Sequence, residues 1–255
     1  MRRKNWKNIV RNVLCTPRPM CYNRPEVIFM TLYRPHARQA FAEYTSHYNA
    51  ADPKVKLKID HTYRVAALCE RIANSLSLSP QDVDLAWLCG LLHDVGRFEQ
   101  LRRYSTFIDA KSIDHALMSV TVLFEEGRLR DYIAGTDEDA LLRTAIRLHN
   151  AYRLPEEMDD RTRMFCQILR DADKIDILRV NVETPMEQIY NVSTEALRQS
   201  PVSPAVLNAF YEHHCVLRTL NHYPADNAVG HASFVFELCY PESLRAVAEQ
   251  GWLWK

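Results

Sequence analysis

The run Leu91-Leu92-His93-Asp94-Val95-Gly96-Arg97 sets an imidazole beside a carboxylate at the polar end of an apolar stretch that begins at Leu85. Two such groups ending a core helix side by side call for a cation, because buried polar groups are costly unless paired. Four further residues can share that cation. His61 precedes Val65, Leu68 and Ile72, and His115 leads a row with Met118, Ser119 and Val122. His149 follows Leu142 and Ile146, and Asp173 extends the row Phe165, Leu169. At 3.6 residues per turn, each lies on the core-facing side of its helix. A lone inward histidine is more often a hydrogen-bonded core residue. Six such residues on five segments are harder to satisfy one by one, and a metal site satisfies them together.

The donors are imidazole and carboxylate with no thiolate, which suits Fe, Mn, Co, Ni, Zn or Mg over soft ions. His61, His93, Asp94 and Asp173 suffice for one divalent ion. His115 and His149 suffice for a second, with Asp94 as bridge because a carboxylate has two oxygens. Two ions roughly 3.5–4 Å apart can activate hydroxide and neutralise phosphate oxygens during in-line displacement.

Helices must carry these residues. The pattern predicts them over 32–48, 56–76 and from Ser79-Pro80 to about His93, the last with a serine cap and proline in its first turn. A loop rich in Arg, Tyr and Phe is expected over 95–111, then helices over 112–126, ended by Gly127, and from Thr136 as N-cap to about His149. A long helix is expected over about 160–180, another over 205–220, and an apolar, aromatic stretch over 228–254 that packs back on the core. No segment shows sustained period-two alternation, so the reading is all-α.

The texts "IDHTYRVAALCERIA", "LCGLLHDVGRFEQ" and "ILRDADKIDILR" resemble the HD-domain metal-dependent phosphohydrolase superfamily over about residues 55–180. That resemblance implies an all-α HD-domain helical bundle whose ligands follow the pattern H…HD…D, and His115 with His149 look like its six-ligand, dinuclear branch. The third motif offers two acids. Asp173 aligns with the family's "AD" element, and Asp171, about 200° away around the helix, is a candidate for orienting a metal-bound histidine. Arg97 stands where the family often has Lys, so Asp94 and Arg97 are the expected catalytic residues. Arg97, with Arg102, Arg103 and Lys111 in the following loop, is the expected substrate-binding set, a guanidinium gripping phosphate bidentately. Lys174 reads as a structural or solvated ion pair, and His213, His214, His222 and His231 as surface or packing residues.

Three parts are expected: a basic N-terminal extension over 1–30, an HD-type metal-binding domain over 31–184, and a C-terminal helical appendage over 185–255 packed on the same core. Formal net charge is zero, which argues against a broad basic nucleic-acid surface. Residues 1–25 nonetheless hold seven Lys and Arg and no acid. That segment reads as a disordered extension, one that could lie upstream of a true start at Met30, ahead of a transit peptide or a nucleic-acid arm. It lacks the apolar stretch of a secretory signal, and no apolar run is long enough to span a membrane. The seven cysteines stand singly, as reduced cytoplasmic thiols do, with Cys69, Cys89, Cys166 and Cys239 as core fillers.

The expected activity is hydrolysis of a phosphoester of a nucleotide or similar small phosphorylated metabolite by metal-activated water. The same ligands allow a diiron oxygenase of the inositol oxygenase type, or a nucleotide-sensing regulatory module without turnover. The expected partner is the small-molecule phosphoester, with a homodimer possible and no clear nucleic-acid or membrane partner.

Overall fold

A computed structural model describes residues 32–254 apart from Met186, Gln188, Tyr190 and Asn191. The basic extension over 1–30 therefore lies outside the described residues. Among those described there is no strand, in keeping with the all-α reading, and no helix is long and apolar enough to cross a membrane.

Two helices form the spine. Asp52 caps α2 (Pro53–Ser75) by accepting from the Lys54 N–H, and Pro53 supplies a fixed φ where no intrahelical donor is needed. Ser79 does the same for α3 (Pro80–Leu92), which is buried at Val83 and at every position from Leu85 to Leu92. A helix apolar on all sides has to be central. Gly90 lets its backbone press against α2, for a Cβ there would lie 2.6 Å from Ala66 Cα. The long helix α7 (Asp160–Glu183), capped by Asp159, packs across both through Phe165, Ile168, Leu169, Ala172 and Ile175.

Shorter helices complete the frame. The helix α1 (Arg34–Ser46) brings Phe41 and Tyr44 against Phe98, and the Tyr44 hydroxyl donates to the Val95 carbonyl at 3.0 Å. The segment after Asp94, expected as a loop, is instead helical as α4 (Val95–Tyr104). Val95, Phe98 and Leu101 give it an apolar row at helical spacing, Arg102 and Arg103 complement the dipole of its last turn, and Ser105 ends it at φ 54°. The next helix, α5 (His115–Val120), begins three residues later than expected, because Asp114 accepts from the Ala116 and Leu117 N–H groups and fixes the start. It continues as a π turn over Thr121–Glu125, and Gly127 at φ 77° closes the segment. The helix α6 (Asp139–Leu148) has Glu138, not Thr136, in the N-cap place.

Beyond α7 come α8 (Thr194–Gln199), α9 (Pro204–Tyr211), α10 (Pro224–Ala232) and α11 (Pro241–Gln250). The helix expected over 205–220 stops at Tyr211, His213 turns the chain at φ 58°, and only a 3-10 turn follows at Arg218–Leu220. From α11, Ala246 and Val247 enter the main core. Asp171 governs that docking: its Oδ2 accepts from the backbone N–H of Cys239 and Tyr240 and from the Ser243 hydroxyl, at 2.8, 3.2 and 2.7 Å. It thus caps α11 from across the interface and orients no histidine, contrary to expectation. Cys239 is exposed and not a core filler, while Cys69, Cys89 and Cys166 are buried.

The turn that bears His93 and Asp94 depends on one more glycine. A Cβ on Gly96 would lie 2.3 Å from Ser119 N and 2.7 Å from the His115 carbonyl oxygen, both rigid backbone atoms of α5. Gly96→Ala should therefore destabilise the fold by about 1–3 kcal/mol, the usual cost of overpacking, with a matching fall in the midpoint of denaturant unfolding.

Candidate metal centre

His93 is the C-cap just past α3 and Asp94 the residue before α4, at φ −110° and ψ 14°, so the pair occupies a sharp corner between the two helices. The Ser119 hydroxyl donates to the His93 carbonyl at 2.8 Å and accepts from Gly96 N–H at 2.9 Å, which pins the corner to α5. His61 arrives from the middle of α2, His115 from the start of α5, His149 from the end of α6 and Asp173 from α7. The structure brings all six expected ligands together.

The Asp94 carboxylate lies between two histidine pairs. Its Oδ2 is 3.7 Å from His61 Nε2 and 3.5 Å from His93 Nε2. Its Oδ1 is 3.7 Å from His115 Nε2 and 3.8 Å from His149 Nε2. Asp173 Oδ1 stands over the first pair, 3.1 Å from His61 Nε2 and 3.8 Å from His93 Nε2. Two triads, His61/His93/Asp94 and Asp94/His115/His149, each hold their donor atoms within 4.8 Å of one another, and a third, His93/His149/Asp173, overlaps both.

What stands behind each ring decides which nitrogen is free. His93 Nδ1 donates to the Gly90 carbonyl and His149 Nδ1 to the Ile146 carbonyl, both at 2.7 Å. A carbonyl only accepts, so in the neutral rings Nε2 carries the lone pair. His61 Nδ1 is held by Asp176 at 2.7 Å, and Asp176 is gripped by Arg179 through both oxygens. His115 Nδ1 is held by Asp109 Oδ2 at 2.6 Å, while Asp109 Oδ1 accepts from Arg97 and Gln100. Neutral rings tethered this way aim their Nε2 lone pairs inward, the first pair 3.3 Å apart and the second 3.0 Å. Facing lone pairs repel unless a cation lies between them. Asp94 Oδ1, buried and without a hydrogen-bond partner, points the same way. The donor set fits hard or borderline divalent metal, which His61, His93, Asp94 and Asp173 on one side and Asp94, His115 and His149 on the other would hold.

Charge follows burial. Desolvation lowers His93 and brings His115 and His149 down to about 4, so these rings stay neutral donors. Burial and the Lys58 charge press the same way on His61, but the Asp173 and Asp176 carboxylates outweigh them and its pKa rises. Burial alone would raise Asp94, yet Lys58, His93 and Arg97 hold it well below the usual carboxylate range.

A cavity of about 210 Å³ opens on Asp94, His115, His149 and Asp173. Arg97 lines it, with its guanidinium fixed by Gln100, the Phe107 carbonyl and Asp109. Arg102 and Arg103 do not reach it: on a helix, unlike a loop, they turn outward, where both pair with Glu99. Lys111 is exposed and also lies off the cavity wall. Lys174 pairs with Glu237 at 2.7 Å, the structural ion pair expected of it. Sequence reasoning missed Lys58, Asp109 and Asp176, although Lys58 and Asp176 fall three residues from His61 and Asp173 on the same helix faces. It also missed the C-terminal wall of the cavity, formed by Cys215–Arg218, Phe234 and Glu237.

Residues 59–178 match the HD domain family. No curated protein and no solved structure matches the chain. The tethers and the burial give two expectations. Asp109→Asn and Asp176→Asn should each weaken metal binding by roughly 10–100-fold in a calorimetric titration, because each removes the carboxylate behind a ligand imidazole. In chelator-treated protein His115 and His149 titrate at about 4, against 6.5 for an unperturbed histidine. The unfolded chain then binds more protons throughout that window, so stability is full above it and falls as pH drops through it. Thermal melts from pH 6.5 to 4 should show a falling Tm, and His149→Gln should flatten the slope.

Proposed function

Residues 59–178 belong to the HD domain family, a superfamily of metal-dependent phosphohydrolases, and on that premise we propose that this chain hydrolyses a phosphoester of a nucleotide or a similar small phosphorylated metabolite. The observation that carries the proposal is the division of the two Asp94 oxygens between two histidine pairs at the floor of a cavity lined by Lys58 and Arg97. Divalent ions, when bound, supply Lewis acidity toward a phosphoryl oxygen and acidify water. Asp94 holds both sites in one register, and the carbonyls and carboxylates behind the four imidazoles keep their Nε2 atoms aimed. Arg97, braced by Asp109, presents a fixed positive charge where negative charge grows on the phosphoryl oxygens. Val216, Leu217 and Phe234 offer an apolar surface to the leaving group. Four neutral imidazoles and two carboxylates leave a pair of divalent ions with surplus positive charge, which favours an anionic substrate. The five described free cysteines are in keeping with the reducing cytoplasmic setting we propose.

Metal analysis of anaerobically purified protein should find two ions per chain, and one when His115 and His149 are both replaced by Ala. Purified protein given Mn, Co, Ni, Fe or Mg should release phosphate or alcohol from members of a phosphoester panel. Asp94→Ala should lose that activity by at least about 1000-fold, since it removes a ligand from both ions. Metal-loaded protein inert toward the whole panel would overturn the proposal, and oxygen uptake with an iron EPR signal would replace it with the oxygenase reading.

A further inference from the structure

Four cations line the cavity, and they differ in how firmly they are held. Lys174 is committed to Glu237, and Arg218 stands exposed at the rim. Arg97 offers Nη1 to three acceptors at once, at 2.7 to 2.9 Å. Lys58 is different. Its ammonium donates to one carboxylate, Asp94 Oδ2 at 2.7 Å, lies 5.8 Å from the centroid of the Phe107 ring and acts on His61 by its charge. The Arg97 guanidinium lies 5.7 Å from the same ring and 3.6 Å from Asp94 Oδ1. One cation therefore flanks each oxygen of the bridging carboxylate, and Phe107 lies against both.

The oxygen that Lys58 holds is the one that faces His61 and His93. An ion seated between those rings and the Lys58 ammonium thus claim the same lone pairs. A divalent ion with two imidazoles behind it prevails, because Lys58 keeps access to water along the cavity while the ion's site is enclosed. The displaced ammonium remains on the cavity wall, tethered by its flexible stem and with all three donors to place.

We propose, resting on the phosphohydrolase reading, that Lys58 is a further catalytic residue, which yields Asp94 Oδ2 to the metal and turns its ammonium onto a phosphoryl oxygen of the substrate. Arg97 is then the fixed cation of the site and Lys58 the movable one. Lys58 stabilises the charge that develops on the phosphoryl group, and metal loading and phosphate binding are linked through it.

The test uses full-length Lys58→Met and Lys58→Arg, with Mn and inorganic phosphate as calorimetric probes and thermal melts to verify folding. Lys58→Met frees Asp94 Oδ2, so one of the two Mn sites should tighten by about tenfold. In the Mn-loaded protein the same change should weaken phosphate binding by about tenfold and lower kcat/KM by about 100-fold. Lys58→Arg should recover part of the phosphate affinity. Tighter Mn with unchanged phosphate affinity would reduce Lys58 to a counter-ion of Asp94, and weaker Mn would make it a structural element; either overturns the proposal. If wild-type protein turns over no ester, yet Lys58→Met still loses phosphate affinity, the hydrolase reading fails while the phosphate contact stands. Loaded wild-type protein that binds no phosphate overturns both.

Discussion

The helices that bear the candidate ligands converge on one buried carboxylate, that of Asp94. Asp94 is buried, ionised and wedged between four imidazole edges, with one oxygen lacking any hydrogen-bond partner. A buried anion in that setting is unstable by itself. Lys58 and Arg97 offset part of its charge, and Asp94 stays well below the usual carboxylate range because of them. The histidine and aspartate atoms around it form clusters that could hold metal. The helical frame sets that geometry: the corner between α3 and α4 points the carboxylate inward, and Gly90 and Gly96 let the adjoining backbones close to distances no side chain would permit.

The four imidazoles are held in two ways, and the division is symmetrical. Each side of Asp94 has one ring backed by a carbonyl of its own helix and one backed by a carboxylate from elsewhere in the chain. The carbonyl-backed rings, His93 and His149, end their helices and donate to the carbonyl three residues earlier, where intrahelical partners run out. The carboxylate-backed rings differ in what lies behind them. Asp176 is locked by Arg179 inside α7, whereas Asp109 sits in a turn and shares itself with Arg97 on the cavity wall. The second histidine pair is therefore linked to the cavity wall through Asp109 and Arg97, and the first is backed from within α7.

Helical phase made the six central residues legible, since an ionisable side chain that prolongs an apolar row has only the core to point into. Phase also made Asp176 and Lys58 readable in principle, three residues from Asp173 and His61, but a carboxylate or an ammonium one turn away signals nothing until its neighbour's ring orientation is known. Asp109 left no such trace. It lies in a 3-10 turn, and its partner His115 comes from the next helix. The segment after Asp94 misled for a related reason: its Arg, Tyr and Phe content read as a loop, although Val95, Phe98 and Leu101 carry a helical row. Once that segment is helical, Arg102 and Arg103 sit more than a turn beyond Arg97 and face away from the cavity.

The C-terminal region shows how one helix can serve two ends. Asp171 and Asp173 are two residues apart on α7 and so project on opposite sides of it. Asp173 reaches the histidines, while Asp171 caps α11 and secures the chain that follows Glu237. Between them Lys174 fixes Glu237 itself, and the Tyr152 hydroxyl donates to the Cys215 carbonyl at 3.1 Å, tying the loop after His149 to the opposite wall. Hydrogen bonds and an ion pair thereby join the ligand-bearing helix to the wall facing it. The cavity has the His/Asp donor set and Arg97 on one side and Val216, Leu217 and Phe234 on the other. On the phosphohydrolase proposal, discrimination among substrates belongs to the wall, because the donor set around Asp94 can grip only what every phosphoester has in common.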